Sequence, residues 1–153
     1  MAKRFVRKVN EIIWNSGVAD TQYNHTIYTC PNGKRETMVG LKGNVTVTHD
    51  TTVSTQSGRV GITISKVPND QPDPVLDLSG NTEISTYMNN VVWSWFGYVD
   101  EGNSNFISIP LDIKTMRKMQ EADKLVFSWR SEVSTGNFNA LIGLNSNVFL
   151  LES

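Results

Sequence analysis

Apolar and polar residues alternate with a period of two along most of this chain, the pattern typical of half-buried β-strands. One such run has valine and leucine at 39, 41, 45 and 47, with lysine, asparagine and threonine at 42, 44, 46 and 48. The alternation recurs at 60–64, 107–113 and 125–129, and further apolar stretches occupy 5–14, 25–30, 91–99 and 140–151. We therefore expect about eight strands in one all-β domain, either a sandwich or a barrel.

Two segments compete for short helical turns within this all-β pattern. Residues 83–90 follow Asn81 and Thr82, which are good helix caps, and residues 115–122 group Met116, Met119 and Gln120 on one side. Residues 67–79 contain three prolines, which delete the N–H donors that a central strand needs, so they predict a long surface loop.

Basic residues are concentrated at the start of the chain. Lys3, Arg4, Arg7 and Lys8 are four of its fourteen Lys and Arg residues, and the remaining ten face fifteen acids. The net charge of −1 therefore hides a cationic segment in front of an acidic body. We expect residues 1–8 to form a short basic arm and residues 9–153 to form the folded domain.

The densest aromatic run is predicted to be a strand that is apolar on both faces. Trp93 and Trp95 fall on one face, and Phe96 and Tyr98 fall on the other. One face belongs in the core, and the other needs a cover. We expect that cover to be a neighbouring subunit, and the alternatives are a stacked nucleic-acid base or a sugar ring.

Little in the sequence indicates catalysis, so we expect no enzyme, no cofactor and no metal. His25 and His49 are the only histidines, too few for the three-histidine metal site of a cupin. Cys30 is the only cysteine, so no disulfide forms within the chain. Asp70, Asp73 and Asp77 leave calcium open, although a solvated loop is the favoured interpretation. We expect neither a signal peptide nor a membrane span.

The sequence IPLDIKTMRKMQEADKLVFSW at 109–129 combines an aspartate, a basic step at Lys114, Arg117 and Lys118, and an acidic turn before an apolar strand. This segment resembles the capsid proteins of small circular single-stranded DNA viruses of eukaryotes, the circovirus-like assemblage. The order of elements agrees over most of the chain, from an early strand at 36–41 to a final strand at 143–151 that stops just before the C-terminus.

The resemblance implies a single eight-stranded antiparallel jelly-roll sandwich that assembles with itself into an icosahedral capsid of about sixty copies or a multiple. It implies virion localisation, assembly in the host cytoplasm or nucleus, a genome of single-stranded DNA as partner, and no membrane. The predicted nucleic-acid-binding residues are Lys3, Arg4, Arg7, Lys8, Lys114, Arg117 and Lys118; the predicted subunit interface is Trp93, Trp95, Phe96 and Tyr98. Family members usually carry a longer arginine-rich arm than this chain does.

A carbohydrate-binding β-sandwich, lectin-like in character, is the alternative function. Exposed tryptophan and tyrosine on a sheet face, with Asn103 and Asn105 in a loop, could bind a sugar. The basic leader favours the capsid hypothesis, as does the low charged fraction of 19%, because subunits that meet around several axes need surfaces with little self-repulsion.

Overall fold

The computed structural model describes residues 3–9, 16–17, 21–49, 58–77, 84–85, 90–99, 107–133 and 140–152. Within these ranges the all-β prediction is confirmed. The count of about eight is too low, because three strands have only two residues and are too short to show an alternation. The strands are β1 (Lys3–Val9), β2 (Ser16–Gly17), β3 (Gln22–Thr29), β4 (Glu36–His49), β5 (Gly58–Val67), β6 (Leu76–Asp77), β7 (Ile84–Ser85), β8 (Val91–Val99), β9 (Ile107–Met119), β10 (Lys124–Val133) and β11 (Ala140–Glu152).

The strands form two main antiparallel sheets and one small pair. Sheet A has the order β1-β11-β4-β9, with β2 also pairing with β11. Sheet B has the order β3-β10-β5-β8, and β6 pairs with β7. No described residue belongs to a helix that is long and apolar enough to cross a membrane.

The core lies between the inner faces of the two sheets, and it is built from the alternating apolar residues. Leu41, Val45 and Ile142 of sheet A and Ile62 and Phe127 of sheet B are fully buried. Each such side chain contributes about 1.5–3 kcal/mol by leaving water. The chain therefore forms a β-sandwich with a single continuous core.

The helical turn predicted at 115–122 is wrong, because β9 continues as a strand through Met119. The apolar alternation of β9 ends at Ile113, but the 14-residue strand β4 continues beside it for several more residues. The backbone groups at the start of β4 therefore need partners from residues after 113. Thr37 and Met38 find these partners in Lys118 and Arg117. A tight turn then follows at 120–123, where Ala122 has a positive φ of 65°. Of the other predicted turn, at 83–90, residues 83 and 86–89 lie outside the described residues, and Ile84–Ser85 is strand β7.

The expected division between an arm and a domain at residue 8 falls inside a strand. Lys3–Val9 forms β1, an edge strand of sheet A that pairs with β11 from Lys3↔Glu152 to Val9↔Ser146. Phe5, Val6 and Val9 supply the β-forming residues, and backbone pairing with β11 takes the whole basic segment into the sheet. Charged residues on an edge strand also discourage pairing with foreign strands.

The proline-rich segment is only in part the surface loop that was predicted. Residues 68–73 are largely exposed, whereas Pro74 and Leu76 are buried. The side chain of Gln22 fixes this end of the loop, because its Nε2 donates to the carbonyl of Pro74 and its Oε1 accepts from Leu76 N at 2.7 Å. This contact holds the segment against the edge of sheet B that β3 forms.

Buried polar groups converge where β3, β4 and the turn at 120–123 meet. The Tyr28 hydroxyl donates to the Glu36 carboxylate, which is 2% exposed. Cys30 N donates to Asp123 O at 2.9 Å, and Ala122 N donates to Cys30 O at 3.0 Å. Burial of the Cys30 thiol raises its pKa above the ordinary 9.0, and the negative charges of Glu36 and Asp123 add to that rise.

One glycine of β8 is required by its neighbour. A Cβ atom at Gly97 would lie 2.3 Å from Cζ2 of Trp95, because the indole ring folds along the strand over that position. Trp95 packs in this way against the core from an edge strand.

We expect Gly97→Ala to destabilise the protein by about 1–3 kcal/mol, since either the Trp95 ring or the backbone must move. Gly143→Ala is the matched control, because a Cβ there would meet Thr46 Cβ at an ordinary 3.7 Å. Thermal unfolding followed by tryptophan fluorescence measures both variants. Equal melting temperatures for the two would contradict this packing.

We expect the Cys30 thiol to react with a small disulfide reagent at pH 8 at least about tenfold more slowly in the folded protein than in denaturant. The raised pKa stabilises the fold below about pH 9, and this contribution is lost as the pH rises through the folded-state pKa. The stability advantage of the parent over Cys30→Ala should therefore narrow between pH 8 and pH 10. A constant difference would show that the thiol does not ionise less readily in the fold.

Candidate nucleic-acid interface

Sheet A has an outer face that points away from the core. On β11, Val148 and Leu150 are fully buried, so the alternate residues Asn147, Phe149 and Leu151 belong to the opposite face. Their ladder partners share that face, because cross-strand neighbours in an antiparallel sheet project to the same side.

The strand register arranges this face in three rows that cross all four strands of the sheet. Successive rows lie about 7 Å apart along β1 and β11, the spacing of two residues in a strand. The register shift makes the first step longer on the other two strands, three residues on β4 and four on β9. In the order β1, β11, β4, β9, the rows are Arg4, Leu151, Thr37 and Lys118; Val6, Phe149, Gly40 and Lys114; and Lys8, Asn147, Lys42 and Asp112.

Five of these twelve positions are basic and one is acidic. Lys42 Nζ lies 3.9 Å from Asp112 Oδ1, and both side chains are more than half exposed, so solvent screens this pair and it is weak. The chain as a whole is slightly acidic, and this face therefore departs in sign from the rest of the molecule. A surface of this sign attracts phosphates and releases their counterions.

The register brings together some of the residues predicted to bind nucleic acid and separates others. Lys114 and Lys118 share the outer face, both exposed. Arg117 pairs with Met38, which is fully buried, and Arg117 is half-buried with its Nη1 donating to Met116 O at 3.4 Å. On β1, Arg4 and Lys8 occupy the rows, whereas Lys3 and Arg7 occupy the alternate positions.

Three members of this face were not predicted from the sequence: Lys42, Gly40 and Phe149. Lys42 does fall on the polar side of the alternation in β4, which is a usable signal. Phe149 lies in an apolar run that gives no sign of an exposed face, and Gly40 follows a register shift that the sequence does not reveal. Only the strand pairing places these two residues beside Lys114.

The aromatic strand β8 divides as its alternation predicts. Trp93 and Trp95 pair with Ile64 and Ile62 of β5, and both tryptophans pack against the core. Phe96 and Tyr98 lie on the other face of sheet B, where Phe96 is half-buried and Tyr98 is 51% exposed. Of the residues predicted to form a subunit interface, Phe96 and Tyr98 are therefore the two that lie away from the core, on a strand at the edge of its sheet.

Acidic residues near the proline-rich loop form an ion pair and accept hydrogen bonds from the backbone. Asp73 lies 3.7 Å from Lys124, and Asp123 accepts from Asn69 N at 3.0 Å and Gln120 N at 2.9 Å. Within the described ranges, no three His, Cys, Asp or Glu side chains are grouped so that they could hold a metal ion. The side chain of Asp77 lies outside the described residues.

No protein-family model matches this chain, and no curated protein matches it. Among solved structures, the chain aligns with a chain from the structure of infectious bursal disease virus, Gx strain, with a TM-score of 0.41 and 11% sequence identity. The alignment covers 99% of this chain and 32% of the viral chain, so this chain spans about a third of its neighbour's length. At that TM-score the likeness carries no argument about function.

Proposed function

We propose that this chain is a structural virion protein, a jelly-roll coat subunit that assembles with itself into an icosahedral capsid around a nucleic-acid genome. The order of strand pairing carries the proposal. The eight longer strands, of seven residues or more, pair from the two ends of the chain inward: β1 with β11, β3 with β10, β4 with β9, and β5 with β8. Successive pairs alternate between sheet A and sheet B, as in the double Greek key of a jelly roll.

The jelly roll is shared by viral coats, lectins and cupins, so the surfaces must distinguish among them. The outer face of sheet A offers basic positions to a genome, while Phe96 and Tyr98 offer an apolar edge to a neighbouring subunit. The lectin-like alternative draws on the run from Trp93 to Tyr98 and on Asn103 and Asn105. The two tryptophans of that run pack against the core, and the two asparagines lie outside the described residues. The described surfaces therefore favour the coat hypothesis.

The resemblance of residues 109–129 to circovirus-like capsid proteins supports single-stranded DNA as the genome. Each basic side chain neutralises about one phosphate and releases its counterion. Four basic residues per subunit therefore neutralise only a small part of a genome of thousands of nucleotides. In our proposal, Lys42, Lys114 and Lys118 add to Arg4 and Lys8 on one continuous surface. Sheet A would then face the genome, and the edge of sheet B at β8 would face other subunits.

Light scattering on the eluate of a sizing column tests the proposal, with absorbance at 260 and 280 nm recorded on the same peak. We expect a particle of about sixty subunits of 17.1 kDa, roughly a megadalton. We expect Tyr98→Asp and Phe96→Asp to stay folded but to elute as small species, because a charge at the contact must be desolvated. Asn24→Asp is the matched control, since it adds the same charge at the opposite edge of sheet B.

A parent protein that remains a monomer or dimer across salt and pH would contradict the coat function. Normal assembly of both aspartate variants would instead leave the coat function standing and remove β8 from the interface.

Replacing Lys3, Arg4, Arg7 and Lys8 by Ser should leave assembly intact, because β1 pairs through its backbone, and should lower the nucleic acid recovered with the particle. Two half-variants sharpen this prediction. The double variant Arg4→Ser, Lys8→Ser removes the two basic residues that lie in the rows. The double variant Lys3→Ser, Arg7→Ser removes the two at alternate positions, and each variant loses two positive charges. We expect the first pair to lower the ratio of absorbance at 260 to 280 nm more than the second. Equal ratios for the parent and the fourfold variant would dismiss the role of these residues.

A further inference from the structure

The outer face of sheet A contains a groove of about 490 Å³, a volume within the range of small-molecule sites. Its walls are both apolar and basic. The lining residues are Val39, Gly40, Lys42, Ile113, Lys114, Phe149 and Leu151. The groove therefore lies on the middle row of the basic face, with rows that carry basic residues on either side.

A missing side chain helps to form the depression. Gly40 lies between Phe149 of β11 and Lys114 of β9 in the register. A Cβ atom added at Gly40 would lie 3.0 Å from the carbonyl oxygen of Ile113 and 3.9 Å from Cδ2 of Phe149. Any larger residue would occupy the space between the phenylalanine ring and the lysine.

The chemistry of the groove matches an anion that carries a flat apolar group. Phe149, Leu151 and Val39 supply the apolar surface. Lys42 and Lys114 also line it, and both side chains are exposed and can move to meet a phosphate. Lys42 would have to exchange its weak, exposed pair with Asp112 for that contact. Aromatic side chains on a sheet face, flanked by basic residues, are a recurring platform for single-stranded nucleic acids.

We propose that this groove binds one unpaired base of a single-stranded nucleic acid, which packs against Phe149 over Gly40, while Lys42 and Lys114 contact the adjoining phosphates. A base in a duplex is covered on both faces by its neighbours and cannot enter the groove. The proposal rests on the proposed function, since it assigns the groove to the coat's cargo. It adds the place on the chain where an unpaired base binds and the residues that distinguish a single strand from a duplex.

Fluorescence anisotropy measures the binding of a labelled 12-nucleotide oligo-dT and of a 12-base-pair duplex to protein stripped of nucleic acid in high salt. We expect the single strand to bind at least tenfold more tightly than the duplex at equal salt. Phe149→Leu should lower the affinity for the single strand about fivefold or more and leave the salt dependence unchanged, because it removes stacking alone. Phe149→Tyr, which keeps the ring, should retain the affinity.

Lys114→Gln should lower the affinity and reduce the slope of log K against log salt by about 0.7, the contribution of one phosphate on a single strand. Lys124→Gln is the matched control, because it removes the same charge from sheet B, and it should bind as the parent does. Equal binding of duplex and single strand, or unchanged binding by Phe149→Leu, would overturn the groove.

Photochemical cross-linking of a bromodeoxyuridine oligonucleotide to the unaltered protein keeps the test independent of variant folding. We expect the adduct on a peptide that contains Phe149 or residues 39–42, and adducts confined to sheet B would overturn the proposal. Binding of the single strand by a protein that does not assemble would contradict the coat function and support the groove. Assembly of a protein whose groove does not bind the single strand would contradict the groove and support the coat function.

Discussion

The fold depends on the backbone ladder that β11 makes with strands on both of its sides. β11 is the last strand of the chain, yet it lies inside sheet A, between β1 and β4. Its residues Ile142, Leu144, Val148 and Leu150 are buried in the core. Because β11 pairs with both β1 and β4, neither of those strands has its full set of backbone partners until β11 is in place. Pairing between strands so distant in sequence carries a large loop-closure entropy, and folds of this kind form slowly.

Alternation in the sequence predicted the long strands well, because their side chains meet a core on one side and solvent on the other. The bounds of β8 at 91–99 agree with the structure, and the split of its tryptophans from Phe96 and Tyr98 follows from the period of two. The helical turn predicted at 115–122 failed for a related reason. Met116 and Lys118 lie on the exposed face of an edge strand, where no apolar partner completes the alternation and local grouping imitates a helix.

The candidate site was only partly predictable, since it is a product of register. Lys114 and Lys118 were identified by local charge, and Arg117 was included with them although its ladder position opposes the buried Met38. Nothing local connects Arg4, Phe149, Gly40 and Lys114, which come from four strands. The pairing of the two chain ends brings them to one face, and a single sequence does not specify that pairing.

The register shift at Val39 changes which residues of β4 face the core. Met38 and Leu41 are both fully buried although they are three residues apart, which a regular strand does not allow. Val39 is the additional residue against β11, a β-bulge that resets the alternation between the two halves of the strand. The alternation of buried and exposed residues is therefore set separately in the two halves of β4. The half from Leu41 onward packs in the core of the sandwich. The Glu36–Met38 half pairs Thr37 with Lys118. Related chains could lengthen or shorten one half without turning the other inside out, provided that the bulge is kept.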